Sequence, residues 1–229
     1  VGWSGYLGDD DFAQVVLEDF ARFGVDSRYA VKVEGANSDF TVILLTPGGE
    51  RTILIVSNFA EPPLTEEVLK VLSFSRLGYA LPRVSEWFER FSRAVRSGGG
   101  QVVVDVEGSC PVRGADLDFA LCNSDIAFLS RDGLCLATGV DSLENGVQRL
   151  LKTGLQAVVV TLGASGALAA TENEVCQHPA FRVPVVDTTG AGDCFHAAFL
   201  VGWLEGWELR RCLRFASAAA ALSVQALGA

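Results

Sequence analysis

The chain has 229 residues, enough for one domain with a large core, and its 49% hydrophobic and 20% charged residues are an ordinary globular mixture with no apolar stretch near the ~18–20 residues that span a bilayer. A formal charge of −10 argues against a nucleic-acid surface, which needs a basic patch. Six scattered cysteines without a C-x-x-C pair suit a reducing, cytoplasmic compartment, and two histidines without H-x-x-x-H spacing leave no zinc site.

Taken in order, the elements alternate. Phe12, Val15, Val16, Phe20 and Phe23 repeat with helical spacing over Asp10 to Phe23, and Gly24 ends that helix. Thr41 to Leu45 and Arg51 to Val56 read as strands around a Pro47-Gly48-Gly49-Glu50 turn, a small β lid contributed by residues about 37–58. Thr65 caps a helix running through Leu72, and Ser85 caps another in which Trp87, Phe88, Phe91, Ala94 and Val95 share a face up to Gly98-Gly99-Gly100. Gln101 to Val106, Ile126 to Leu129 and Ala157 to Thr161 read as buried strands. Leu143, Val147, Leu150 and Leu151 line a helix closing at Gly154. Val183 to Val186 reads as a further strand, Phe195 to Trp203 as a helix, and Leu209 to Gln225 as an alanine-rich final helix. This order predicts an α/β fold: a three-layer α-β-α sandwich with a mostly parallel central sheet. Ligands in such sheets bind at the carboxyl ends of the strands, where Asp105, Thr161 and Asp187 are expected to lie.

The most informative segment is Asp187-Thr188-Thr189-Gly190-Ala191-Gly192-Asp193. A glycine turn opening a helix exposes unpaired N–H groups and partial positive charge, which bind anions. Asp193 would repel the anion, which makes sense if it takes the proton from a hydroxyl attacking a bound phosphoryl group. The segment therefore reads as phosphoryl transfer to an alcohol; a carboxylate that merely complements the helix dipole is the plain competing reading. Thr161-Leu162-Gly163-Ala164-Ser165-Gly166 follows a strand end and suits either a nucleotide-covering loop or a simple turn between strands. Asp187 with Thr189 can hold a cation or tie the turn. Asp105 and Glu107, two residues apart, point to one face. They can meet a sugar hydroxyl or a metal-bound water, or be exposed loop acids.

The run DTTGAGD with Cys194-Phe195 resembles the signature of the ribokinase-like (PfkB) carbohydrate kinases. Gly5-Tyr6-Leu7-Gly8-Asp9-Asp10 and Phe23-Gly24-Val25-Asp26 are similar to that family's early G-x-x-G-x-D and GVD segments. Gly49-Glu50-Arg51 looks like its hairpin and Thr161–Gly166 like its nucleotide-contacting loop. Gln177 to Phe181, with His196, looks most like the sulfofructose kinases within the family. The resemblance implies ATP and Mg2+ as co-substrates, Asp193 as catalytic base, the amides of Gly190, Ala191, Gly192 and Asp193 as anion hole, and Thr161, Gly163, Ala164 and Gly166 as nucleotide contacts. It also implies K+ or another monovalent cation at Asp187 and Thr189, a small sugar-like acceptor, and a homodimer through lid strands. A nucleoside or vitamin-alcohol acceptor, or a catalytically silent binding protein, stays open.

The chain departs from that pattern in two ways. The family's N-x-x-E motif falls on Ser130, Arg131, Asp132 and Gly133, so neither its Asn nor its Glu is present. Arg131 can meet a phosphate and Asp132 can replace the acid, or both are solvent-facing. The chain also has no methionine, and the family's opening strand, sugar-contacting acid, paired-glycine segment and last helix are expected to lie outside residues 1–229.

Overall fold

The computed structural model describes residues 1–45, 51–59 and 61–228, and the expected turn at Pro47–Glu50 lies outside them. The chain forms two compact units, Val1–Val71 and Leu72–Ala229.

In the first unit, β1 (Gly2–Leu7) pairs in parallel with β2 (Asp26–Lys32) across α1 (Asp11–Arg22). Asp10 caps α1 by accepting from the Ala13 N–H, and its second oxygen accepts from the Ser38 N–H at 2.7 Å. Gly8 is a glycine because a Cβ there would lie 2.2 Å from the Ser38 nitrogen. The strands β3 (Phe40–Leu45) and β4 (Arg51–Val56) pair antiparallel, as expected, and α2 (Glu66–Leu72) follows with Thr65 bonding the Val68 N–H.

The second unit carries a sheet of six strands among the described residues. Its order is β10 (Val175–His178), β9 (Ala167–Ala170), β8 (Ala157–Thr161), β7 (Ile126–Ser130), β6 (Gln101–Val106) and β5 (Leu77–Ala80). Strands β5 to β8 run parallel, and β9 and β10 add antiparallel edges. Both faces are covered, so the central strands carry no polar alternation: Val102, Val103, Val104, Ile126, Ala127 and Phe128 are all fully buried. Val103, Phe128 and Val159 face α7 (Ala191–Leu204) and α8 (Leu209–Ser223). The other face packs on α3 (Ser85–Ser97), α5 (Arg131–Thr138) and α6 (Leu143–Leu151), with α4 (Gly114–Cys122) against α3. The α/β sandwich with a mostly parallel sheet is therefore as expected.

Two local expectations fail. Val183 to Val186 is not a strand: the Val186 and Asp187 N–H groups both donate to the Val224 carbonyl beyond α8, so no neighbouring strand is needed, and Val185 and Val186 stay exposed. Asp187 consequently follows an irregular segment rather than a strand end. Ser85 does not cap α3; its N–H and hydroxyl both donate to Asp116 on α4.

Helix α7 lies along β6. Near its C-terminal end the Trp203 indole N–H donates to Gln101 Oε1 at 2.9 Å, at the start of β6. Near its N-terminal end His196 meets Asp105, close to the end of β6. The helix therefore runs against the strand and delivers its N-terminus to the carboxyl edge of the sheet.

On the opposite face, α5 approaches β6 so closely that a Cβ on Gly133 would come within 1.8 Å of the Val106 carbonyl oxygen. Since backbone cannot yield as a flexible side chain can, Gly133→Ala should lower the unfolding free energy by about 1–3 kcal/mol in urea denaturation. An unchanged midpoint would show that this contact has slack.

Candidate active site

Gly190 adopts a left-handed conformation, φ 72°, which glycine reaches without strain, and it precedes α7 without any side-chain cap. The helix begins Ala191-Gly192-Asp193, and among the described residues no protein acceptor meets the N–H groups of Gly192 or Asp193. A Cβ at Gly192 would meet nothing within 4 Å, so the approach to these amides is open. Gly190, Ala191, Gly192 and Asp193 form the turn and the first helical positions, with the Asp193 side chain exposed. The arrangement can bind an anion and set a carboxylate beside it.

Thr161 ends β8, and the chain turns through a short 3-10 segment, Gly163–Ser165, into β9. Gly163 and Gly166 both have positive φ, and a Cβ on Gly166 would lie 2.1 Å from the His178 carbonyl oxygen. The turn is therefore built for glycine. It leaves Ala164 and Ser165 exposed at the same carboxyl edge of the parallel strands that carries the α7 N-terminus.

Asp187 and Thr189 form a local turn. Asp187 Oδ1 accepts from the Thr189 N–H at 2.9 Å and from its hydroxyl at 2.8 Å, and Oδ2 accepts from the Gly228 N–H. Oδ1 therefore ties the turn itself, while Oδ2 links it to Gly228 near the end of the described chain. No group of three or more His, Cys, Asp or Glu side chains gathers as a metal site among the described residues. Ser130 caps α5 by accepting from the Gly133 N–H, while Arg131 and Asp132 are exposed.

Asp105 is not an exposed loop acid. It is 5% exposed, and its Oδ2 accepts from the Tyr79 hydroxyl at 2.8 Å. The same hydroxyl lies 3.1 Å from His196 Nδ1, and that nitrogen is 3.6 Å from Asp105 Oδ2. The Phe128 ring covers His196, with centroids 4.3 Å apart. Burial lifts the Asp105 pKa from 3.8 to about 6, the Tyr79 bond opposes that rise, and the Glu107 and Asp193 charges add to it. Burial also depresses His196 to about 4, so its ring is neutral and the contact is no ion pair. Asp105 Oδ1 and His196 Nε2 are buried with no partner among the described residues. Sequence reasoning named Asp105 and His196 separately and missed Tyr79. His196 stands three residues after Asp193 on the same helix, which was the available signal for its place in the site.

With the geometry in hand, comparison with known proteins gives consistent results. The family model described as pfkB family carbohydrate kinase matches residues 1–229. A ribokinase of Arabidopsis thaliana is 30% identical over 240 residues, which cover 98% of this chain and 62% of the relative. The chain thus spans less than two thirds of that relative's length. An aminoimidazole riboside kinase of Salmonella typhimurium is 30% identical over 248 residues, covering 100% of this chain and 77% of the relative. The solved structure of Arabidopsis thaliana ribokinase complexed with ribose and ATP superposes with a TM-score of 0.85 at 28% identity, covering 100% of this chain and 77% of that one. None of these three is a sulfofructose kinase, and the leaning to that subfamily is not confirmed.

The buried pair makes a signed prediction about stability. The unfolded chain protonates His196 as pH falls through 6.5, whereas the folded chain does so only near 4. The stability owed to neutral His196 is therefore full above 6.5 and is lost as pH falls toward 4. Asp105 runs the other way, favouring the folded state as pH drops from about 6 toward 3.8. Relative to the wild type, His196→Gln should therefore gain stability as pH falls from 6.5 to about 4 in urea denaturation. A difference constant across that window would contradict a buried neutral imidazole.

Proposed function

Since the chain belongs to the pfkB family of carbohydrate kinases, we propose that it transfers the γ-phosphoryl group of ATP to a hydroxyl of a sugar or sugar derivative. The observation that carries this reading is the uncapped start of α7, where open amides and the Asp193 carboxylate stand together. The N–H groups of Gly190, Ala191, Gly192 and Asp193 hold the migrating phosphoryl. Asp193 accepts the proton of the acceptor hydroxyl as that oxygen attacks phosphorus, and ADP leaves. Thr161, Gly163, Ala164 and Gly166 contact the nucleotide, their exposed turn lying on the same edge of the sheet.

The residues present fit a nucleotide better than a resident metal. Mg2+ belongs with the nucleotide phosphates, because it keeps much of its water and needs only one or two protein carboxylates. No metal cluster among the described residues competes with that arrangement. A monovalent cation at Asp187 and Thr189 belongs to the same reading, with Asp187 Oδ1 held by Thr189 and Oδ2 by the Gly228 N–H. Local amides, rather than the overall charge of −10, must attract the triphosphate.

The Arabidopsis ribokinase and the Salmonella aminoimidazole riboside kinase both carry a ribose-based acceptor in their names, so ribose and ribosides head the acceptor panel. A homodimer through β3 and β4 belongs to the same reading, since Val42, Leu44, Ile53 and Ile55 on these strands are all exposed. The free cysteines at 110, 122, 135, 176, 194 and 212 suit a reducing, cytoplasmic setting. A second reading, a nucleotide-binding protein without transfer, is favoured by one feature alone: Ser130 and Gly133 stand where the family carries Asn and Glu.

A coupled assay of ADP release with a panel of sugars and nucleosides separates the two. The wild type should turn over at least one acceptor, and Asp193→Asn should reduce kcat by about 10²–10⁴ while nucleotide affinity changes little. Equal turnover in the variant would reject Asp193 as the base, and binding without transfer by the wild type would favour the second reading.

A further inference from the structure

The chain Tyr79–Asp105–His196 has features that packing does not explain. Two of its three members are more than nine-tenths buried, and each keeps one polar atom without a partner. Burying a carboxylate and an imidazole with unmet hydrogen-bonding capacity costs stability, and apolar side chains of similar volume would fill the same space without that cost. Such a cluster calls for an explanation beyond the core.

Its place in the fold supplies one. Among the described residues, this chain is the polar side-chain link between the first two turns of α7 and the sheet. The next such link along the helix is Trp203 to Gln101, about two turns further on. No side chain caps the helix start, so the position of its amides rests on the backbone turn that precedes them and on this polar chain one turn behind. We propose, resting on the kinase reading above, that Asp105 is a positioning residue for phosphoryl transfer: through Tyr79 and His196 its carboxylate anchors the turn of α7 that presents Asp193 and the anion-binding amides.

The protonation states follow from the geometry. With Asp105 ionised, the His196 Nδ1–H donates to the Tyr79 oxygen, and the Tyr79 hydroxyl donates to Asp105 Oδ2. Both donors then point toward the charge, and the terminal bond is charge-assisted. Once Asp105 takes up a proton, its hydroxyl donates to Tyr79, Tyr79 donates to Nδ1, and the imidazole proton moves to Nε2. The charge-assisted bond is gone and the tie to the helix is weaker. Activity therefore requires the ionised form. The groups acting on Asp105 are Tyr79 from β5, Glu107 beyond the end of its own strand, and Asp193 with His196 from α7. The β7 strand presents the Phe128 ring to the cluster.

The test compares the pH dependence of kcat/KM for the wild type, Asp105→Asn and Tyr79→Phe in the full chain, with any acceptor the panel identifies. The wild type should lose activity through a midpoint at about pH 6. Tyr79→Phe removes the bond that favours the charged form, so its midpoint should move upward by roughly half to one pH unit. Asp105→Asn should abolish that step and lower kcat about tenfold to a hundredfold, with KM for the nucleotide within about twofold. A purely structural role would lower the thermal midpoint yet leave the pH profile in place. Superimposable profiles in active enzymes would overturn the inference while leaving the kinase reading intact, whereas a wild type that transfers to no acceptor would sink both.

Discussion

The constraint on which the rest of the second unit depends is that the N-terminus of α7 must stay uncapped. A helix start normally satisfies its orphan N–H groups with a side chain at the cap, an arrangement worth about 1 kcal/mol. Here Gly190 supplies only backbone, and among the described residues the amides of Gly192 and Asp193 have no protein acceptor. Stability forgone at that turn has to be restored by packing elsewhere. The apolar seam of Phe195, Ala198 and Phe199 against Val103, Phe128 and Val159, with α8 alongside, provides it. The helix is among the more apolar in the chain for that reason: it is held by what it buries, so that its exposed end can remain open.

Apolar packing fixes the axis of a helix more firmly than its position along that axis, because smooth side chains slide at little cost. Directional polar contacts remove this freedom. Trp203 on Gln101 and His196 beside Tyr79 and Asp105 bracket α7 at opposite ends of β6. The first contact can be partly exposed and neutral. The second lies under the open N-terminal end, where water would compete with any exposed bond, and burial is what gives it strength. Burial has a consequence of its own, since it drives the carboxylate up to about 6 and the imidazole down to about 4.

Much of the fold was legible because the strands that matter are buried on both faces. Gln101–Val106 and Ala157–Thr161 match their expected bounds, and β7 exceeds its expected span by one residue. Strands β1 and β2 were missed, since Trp3, Ser4, Ser27 and Arg28 interrupt any apolar run, and β5 has only four residues. Val183 to Val186 misled for the opposite reason: the apolar run is real, but Val224 satisfies its backbone, so no ladder forms. The glycine turn and Asp193 were readable as a local motif. Tyr79 was not, because its meaning arises from register: it pairs with Val103, two residues before Asp105, and so lies on the same face of the sheet as that acid.

The altered N-x-x-E positions gain a physical account from the same sheet. Gly133 sits where α5 touches the backbone of β6, and a side chain there would strike the Val106 carbonyl. A glutamate could not enter without displacing α5 from the strand that carries Asp105. Ser130 meanwhile serves α5 as its cap, a local task that an asparagine could also perform. Close helix-strand packing on one face of β6 therefore excludes the glutamate that the family resemblance leads one to expect at Gly133, while the buried acid on the other face lies beneath α7. An isolated surface change would leave the neighbouring backbone free to accept the family residue. This one is built into the core, because the Gly133 backbone lies against that of β6.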